Sequence, residues 1–157
     1  MTNTDQIEDF RLPASTGATL SLESFRGKVS LALVFLPEDE QAALGLLEEM
    51  DRRHKEFGDQ RAQLLAVMKA TARQVREMAD EHGLSVPILA DASGAMARDY
   101  DASHLTAAAV VADKEGNVHR RFTEFLDGND AGPAVESILY TVRALGTQAL
   151  DADEREQ

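Results

Sequence analysis

The sequence predicts an α/β fold, a central mixed β-sheet flanked by helices, and three observations carry that prediction. Residues 29–36, VSLALVFL, are almost wholly apolar, as expected of a strand covered on both faces. A stretch of helical period follows and leads into a second apolar run, LLAVM at 64–68. Strand, helix and strand in that order form a parallel unit with a right-handed crossover. Later, AAAVVA at 107–112 and VHRRF at 118–122 flank the turn sequence DKEGN, so an antiparallel pair joins the parallel one.

Residues 1–9 are polar and are expected to be flexible. Residues 10–12 and 18–21 alternate apolar and polar around a turn-rich stretch, an N-terminal β-hairpin with Gly17 where a positive φ is needed. Residues 22–25 read as a single turn ended by Arg26 and Gly27. After Pro37 comes an acidic turn, Glu38, Asp39 and Glu40, and then a helix over 41–57. Ala43, Leu47, Met50, His54 and Phe57 fall on one face of it, and Gly58 reads as its stop. Thr71 and Gln74 form a capping box for the next helix. Val75, Met78, Ala79 and His82 make its apolar side, and Gly83 closes it. Residues 86–89 are extended, and 93–100 form a short helix capped by Asp91 or Ser93. Pro133 suits the first turn of a final helix, whose buried stripe is Val135, Ile138, Leu139, Val142 and Leu145. The domain is therefore expected over 10–150, with an acidic, disordered tail at 151–157.

Composition removes several functions. The 157 residues carry a net charge of -12, which leaves no positive footprint for nucleic acid or an anionic membrane surface. No apolar run reaches the roughly 20 residues of a membrane span. The opening MTNTDQIEDF has neither a basic n-region nor an apolar h-region, so a cytoplasmic protein is expected. There is no cysteine, which removes disulfides, thiolate metal sites and every cysteine-nucleophile mechanism within the chain.

Several stretches, in order, resemble the alkyl hydroperoxide reductase and thiol-specific antioxidant (AhpC/TSA) family of peroxiredoxins. These are DFRLP at 9–13, LSLESFRGK at 20–28, PILAD at 87–91 with residues 94–100, and VVADKEG at 110–116. The resemblance implies a thioredoxin-like fold with the N-terminal hairpin as an extension, and a homodimer. It also places the family's chemistry after the first core strand, in a pattern P-x-x-x-[TS]-x-x-C. Pro37 matches the proline, but Gln41 stands at the Thr/Ser position and Leu44 at the peroxidatic cysteine. Ala107 falls about where the family has an arginine, and no thioredoxin-type cis-proline is present near it. Leucine has no lone pair with which to attack an O–O bond. Met50 and Met68 would need a separate reductase to return from the sulfoxide.

The remaining candidates are weaker. The carboxylates at 38–40 suit a helix N-terminus better than a metal or general-base site, because adjacent residues seldom point at one centre. Asp91, Asp99, Asp101 and His104 read either as ligands for a divalent ion or as a capped short helix with a polar exit, and the latter is preferred. His54 and His82 lie on helix faces, and His119 on an edge hairpin. No metalloprotease histidine pair, nucleophile-elbow serine or glycine-rich phosphate loop occurs. No cofactor and no metal is expected. The expectation is a peroxiredoxin-like protein without peroxidase activity, in which the degenerate site (Pro37, Gln41, Leu44 and Ala107, with Leu36) forms a cleft for a protein partner. The alternatives are an antioxidant activity that depends on a metal or a partner's cysteine, and a small-molecule binding protein.

Overall fold

The computed structural model describes residues 6–100, 107–123 and 131–156, the side chains at 123, 131 and 146–156 excepted. A small hairpin pairs β1 (Arg11–Pro13) with β2 (Thr19–Ser21), and Gly17 at φ 93° lies in its turn. A single 3-10 turn over Leu22–Ser24 leads into the main sheet. That sheet has the order β5-β4-β3-β6-β7. Its strands are β3 (Ser30–Phe35), β4 (Ala62–Met68), β5 (Ile88–Ala90), β6 (Ala108–Ala112) and β7 (Val118–Thr123). β3, β4 and β5 run parallel, whereas β6 and β7 are antiparallel.

The two-residue period of a strand divides the core into two halves. Ala32, Val34, Leu64, Ala66, Ile88, Ala109 and Val111 face one side. There they meet α1 (Glu40–Asp59), α2 (Ala72–His82) and α4 (Ala131–Glu156). Two right-handed crossovers progressing in the same direction, β3-α1-β4 and β4-α2-β5, put α1 and α2 on the same face. Leu31, Leu33, Phe35, Leu65, Val67, Leu89 and Val110 face the other side. That side is closed by smaller pieces: Ile7, Phe10, Ala14 and Leu22 from the N-terminal segment, and Met96, Ala97 and Tyr100 of and beside α3 (Ala95–Asp99).

Four expectations change. Gln6–Asp9 belong to the flexible segment expected at 1–9, yet Ile7 is buried and its N–H donates to Gly116 O at 2.9 Å. Gln6 bonds to the Asn117 side chain, and the buried Tyr100 hydroxyl donates to Glu8 O. α1 does not stop at Gly58 but runs to Asp59, and the positive φ falls on Arg61 (57°). His82 is exposed at the last turn of α2, so Val75, Met78 and Ala79 alone make the apolar side. α4 runs beyond the stripe that ends at Leu145, as far as Glu156; no Gly or Pro follows Gly146 to end it. The Thr71–Gln74 capping box is present in both directions.

The Tyr100 bond yields a test of the N-terminal anchor. Tyr100→Phe keeps the ring against Phe35, 5.6 Å between centroids, and removes only the hydroxyl. The variant is expected to lose about 1–2 kcal/mol in denaturant unfolding. Amide exchange is expected to rise at Ile7 more than in β3.

Candidate functional site

The first core strand delivers the chain to the end of the sheet where the parallel strands terminate, the usual place for a site in such folds. Leu36 and Pro37 are buried there, and Leu36 N donates to Val67 O at 2.9 Å. Ala107 is buried as well. The pairing of Phe35 with Ala108 brings Ala107 to the same end as Leu36, and both belong to the core cluster that includes Ala43 and Leu47. The structure thus joins two of the expected cleft residues by packing them into the interior. Gln41 is exposed on the first turn of α1, and Leu44, one turn on, is half-buried. Among the described residues Tyr140 is the large exposed hydrophobic side chain, so Leu44 does not head a broad apolar patch.

The electrostatics at the start of α1 are acidic. Glu38, Asp39 and Glu40 are exposed, and the Asp39 carboxylate accepts from Ala42 N at 3.0 Å. The helix end that would favour a bound anion or a thiolate is thereby filled by the chain's own carboxylate. Lys69 lies 3.6 Å from Glu38, both side chains about half exposed. With alanine at 107, no guanidinium comes from that position.

Asp91 is a structural cap. It is 1% exposed, and its two carboxylate oxygens accept from Met96 N and Ala97 N, each at 3.0 Å. Its own N–H donates to Met68 O at 2.8 Å, which fixes the start of α3 to the end of β4. Asp99 is exposed at the end of α3, and Asp101 and His104 lie outside the described residues. No three His, Asp or Glu side chains converge as a metal site among the described residues.

His54 is half-buried, 3.5 Å from the Gln63 side chain. His119 pairs with Asp113 at 2.9 Å. Asp113 also accepts from the N–H groups of Glu115 and Asn117, which holds the β6–β7 turn. Burial alone would raise the Asp113 carboxyl, but the bonds from His119, Asn117 and Glu115 outweigh it and hold the group below its ordinary 3.8. A carboxyl depressed by folding stabilises the protein above its unfolded value and loses that contribution as pH falls through the folded one. The Tm difference between wild type and Asp113→Asn is therefore expected to be constant near neutrality and to shrink below about pH 4. A difference that grew on acidification would contradict this.

What the sequence did not reveal is a groove of about 510 Å³ away from Leu44, between β1, the start of α2 and residues 90–96. Its walls come from three separated segments, so no local spacing announces it.

Strand order, crossovers and helix placement define a thioredoxin-like α/β protein of the peroxiredoxin type. The AhpC/TSA family model matches residues 4–121, and the chain belongs to that family. Three solved structures illustrate the shared fold. The peroxidoxin BcpB of Mycobacterium tuberculosis is 22% identical at a TM-score of 0.79, with 92% of this chain and 97% of that one covered. The bacterioferritin comigratory protein of Xanthomonas campestris is 18% identical at 0.77, covering 90% and 99%. A 2-Cys peroxiredoxin of Plasmodium vivax is 18% identical at 0.78, covering 93% and 97%. No curated protein matches the sequence.

Proposed function

We propose that this chain is a peroxiredoxin-like protein without peroxidase activity that acts as a binding module. The observation that carries the reading is the complete absence of cysteine in a chain of this family. The catalytic position, taken from the family pattern, is Leu44. The carboxylate cap at Asp39 and the alanine at 107 support the same reading, since neither favours a thiolate. The contact surface is the exposed Gln41 and half-buried Leu44 beside the acidic turn, because Leu36 and Ala107 are committed to the core. The reading includes a cytoplasmic protein that pairs with a second copy of itself.

The test has two arms. Peroxide consumption with dithiothreitol is expected at background, with and without added divalent metals. Affinity purification followed by mass spectrometry is expected to recover a partner with wild type and to lose it with Leu44→Asp. Turnover above background, or an identical set of captured proteins from both forms, overturns the proposal.

A further inference from the structure

The β1–β2 hairpin is a two-stranded sheet with one side open. Leu22 N donates to Phe10 O at 3.2 Å and Ala14 N to Ala18 O at 2.8 Å. In an antiparallel ladder this turns the backbone groups of Phe10, Leu12 and Ala14 toward β2 and those of Arg11 and Pro13 away from it. On that outer side Ala14 forms an antiparallel bridge with Leu89, and Ser15 N donates to Ile88 O at 2.9 Å. Beyond the bridge the two segments diverge, and the groove of about 510 Å³ opens between them. The N–H and C=O of Arg11 stand on this edge. They make no backbone hydrogen bond among the described residues, and nor do those of Asp9 two positions earlier.

We propose that this groove docks an extended, basic segment of a partner protein, which adds to the open edge of β1 as a third strand. Main-chain bonds to Arg11 and Asp9 supply the pairing, and alternate side chains of the segment enter the groove, as in other strand additions. Phe10 and Met96 give it an apolar floor, and Ala72, Ala92 and Ala95 leave room beside it. The charge of the occupant follows from the rim. Among the residues lining the groove, Asp9 and Asp99 are exposed carboxylates and Arg11 brings the one guanidinium, while the neighbouring Arg98 donates to Ser93 O at 3.0 Å. The N-terminus of α2, which also lines the groove, is closed by its own Thr71–Gln74 box, so it offers little to an anion. A second copy of the chain would bring its own charge of -12 to that rim. This site lies apart from Leu44 and stands or falls independently of the binding role assigned there.

The test is a titration of the ¹⁵N-labelled full chain with a blocked pentapeptide, acetyl-Lys-Val-Lys-Val-Lys-amide, followed by amide chemical shifts. Saturable shifts are expected at Arg11, Ala92 and Ala95, with none from the Glu-Val-Glu-Val-Glu counterpart. Asp99→Lys, at an exposed position, is expected to weaken binding about fivefold. Ala92→Trp fills the groove and is expected to abolish binding while the rest of the spectrum is retained. The proposal is overturned if those amides do not shift at millimolar peptide, if the acidic peptide binds equally, or if Ala92→Trp binds unchanged. It is also overturned if the same amides shift with protein concentration alone, which would give the groove to a second copy.

Discussion

Asp91→Ala is expected to lower the melting temperature by about 10 °C, the largest effect of any single polar substitution among the described residues. The carboxylate is buried and satisfies two backbone N–H groups at the start of α3. Each orphaned N–H costs about 1–3 kcal/mol, so the loss is roughly 2–6 kcal/mol, reduced to the extent that water enters the space. Asp91→Asn should fall between, since one amide oxygen replaces one acceptor while its NH₂ faces the other donor. Melting followed by circular dichroism decides the matter, and a fall of only a degree or two with Asp91→Ala would show that the cap is dispensable. Gly94, at φ 77°, donates to Asp91 O at 3.0 Å, so the segment's backbone is held through the same residue.

Leu44→Cys is expected to give a folded protein that still does not consume peroxide. In an activated peroxidase the thiol is depressed by a helix N-terminus and a nearby cation. Here Asp39 already caps the helix, Glu38 and Glu40 add negative charge, and Lys69 is paired with Glu38. The new thiol should titrate at or above its ordinary value near 8.5, which leaves about 3% thiolate or less at pH 7. Iodoacetamide reactivity against pH measures this directly, and a midpoint below about 7 would refute the electrostatic account. Adding Ala107→Arg would not rescue the variant. Position 107 is buried in the core, and a guanidinium placed there is expected to cost several kcal/mol unless it finds a partner. On the proposed reading, thiol chemistry is disfavoured at the nucleophile position, at the helix end and at the position of the arginine.

Much of the scaffold was legible because its signals are local or strictly periodic. β3 and β4 are covered on both faces and announce themselves as unbroken apolar runs. The turn at Asp113–Asn117 and the Thr71 box are short-range chemistry that no distant contact overrides. The misreadings have equally physical causes. Gly58 suits a helix stop by its lack of Cβ, but the helix continues one residue further and the left-handed residue is Arg61. His82 has the right spacing for the apolar face, yet a last helical turn projects past the layer it packs on and leaves it exposed. Gln6–Asp9 are polar apart from Ile7, and one isoleucine that reaches Gly116 does not register as a pattern. Asp91 had two readings, ligand or cap, and only the positions of the Met96 and Ala97 N–H groups choose between them. The cleft at Leu44 rests on the family pattern alone. That pattern does not foretell that Leu36 and Ala107 share one buried cluster with Ala43 and Leu47.

The unequal covering of the two sheet faces bears on how the chain is made. α1 and α2 reach their face soon after the strands they connect, and α4 completes that face last. The opposite face waits for contacts that join the beginning of the chain to its later part: Glu8 with Tyr100, and Gln6 with Asn117, 111 positions apart. During synthesis from the N-terminus, Leu31, Leu33, Phe35, Leu65 and Val67 therefore emerge well before the residues around 96–100 and 116–117 that complete their shelter. The hairpin at residues 11–21 is made first, yet its bridge from Ala14 to Leu89 and the bond from Ser15 N to Ile88 O can form only once β5 has been made.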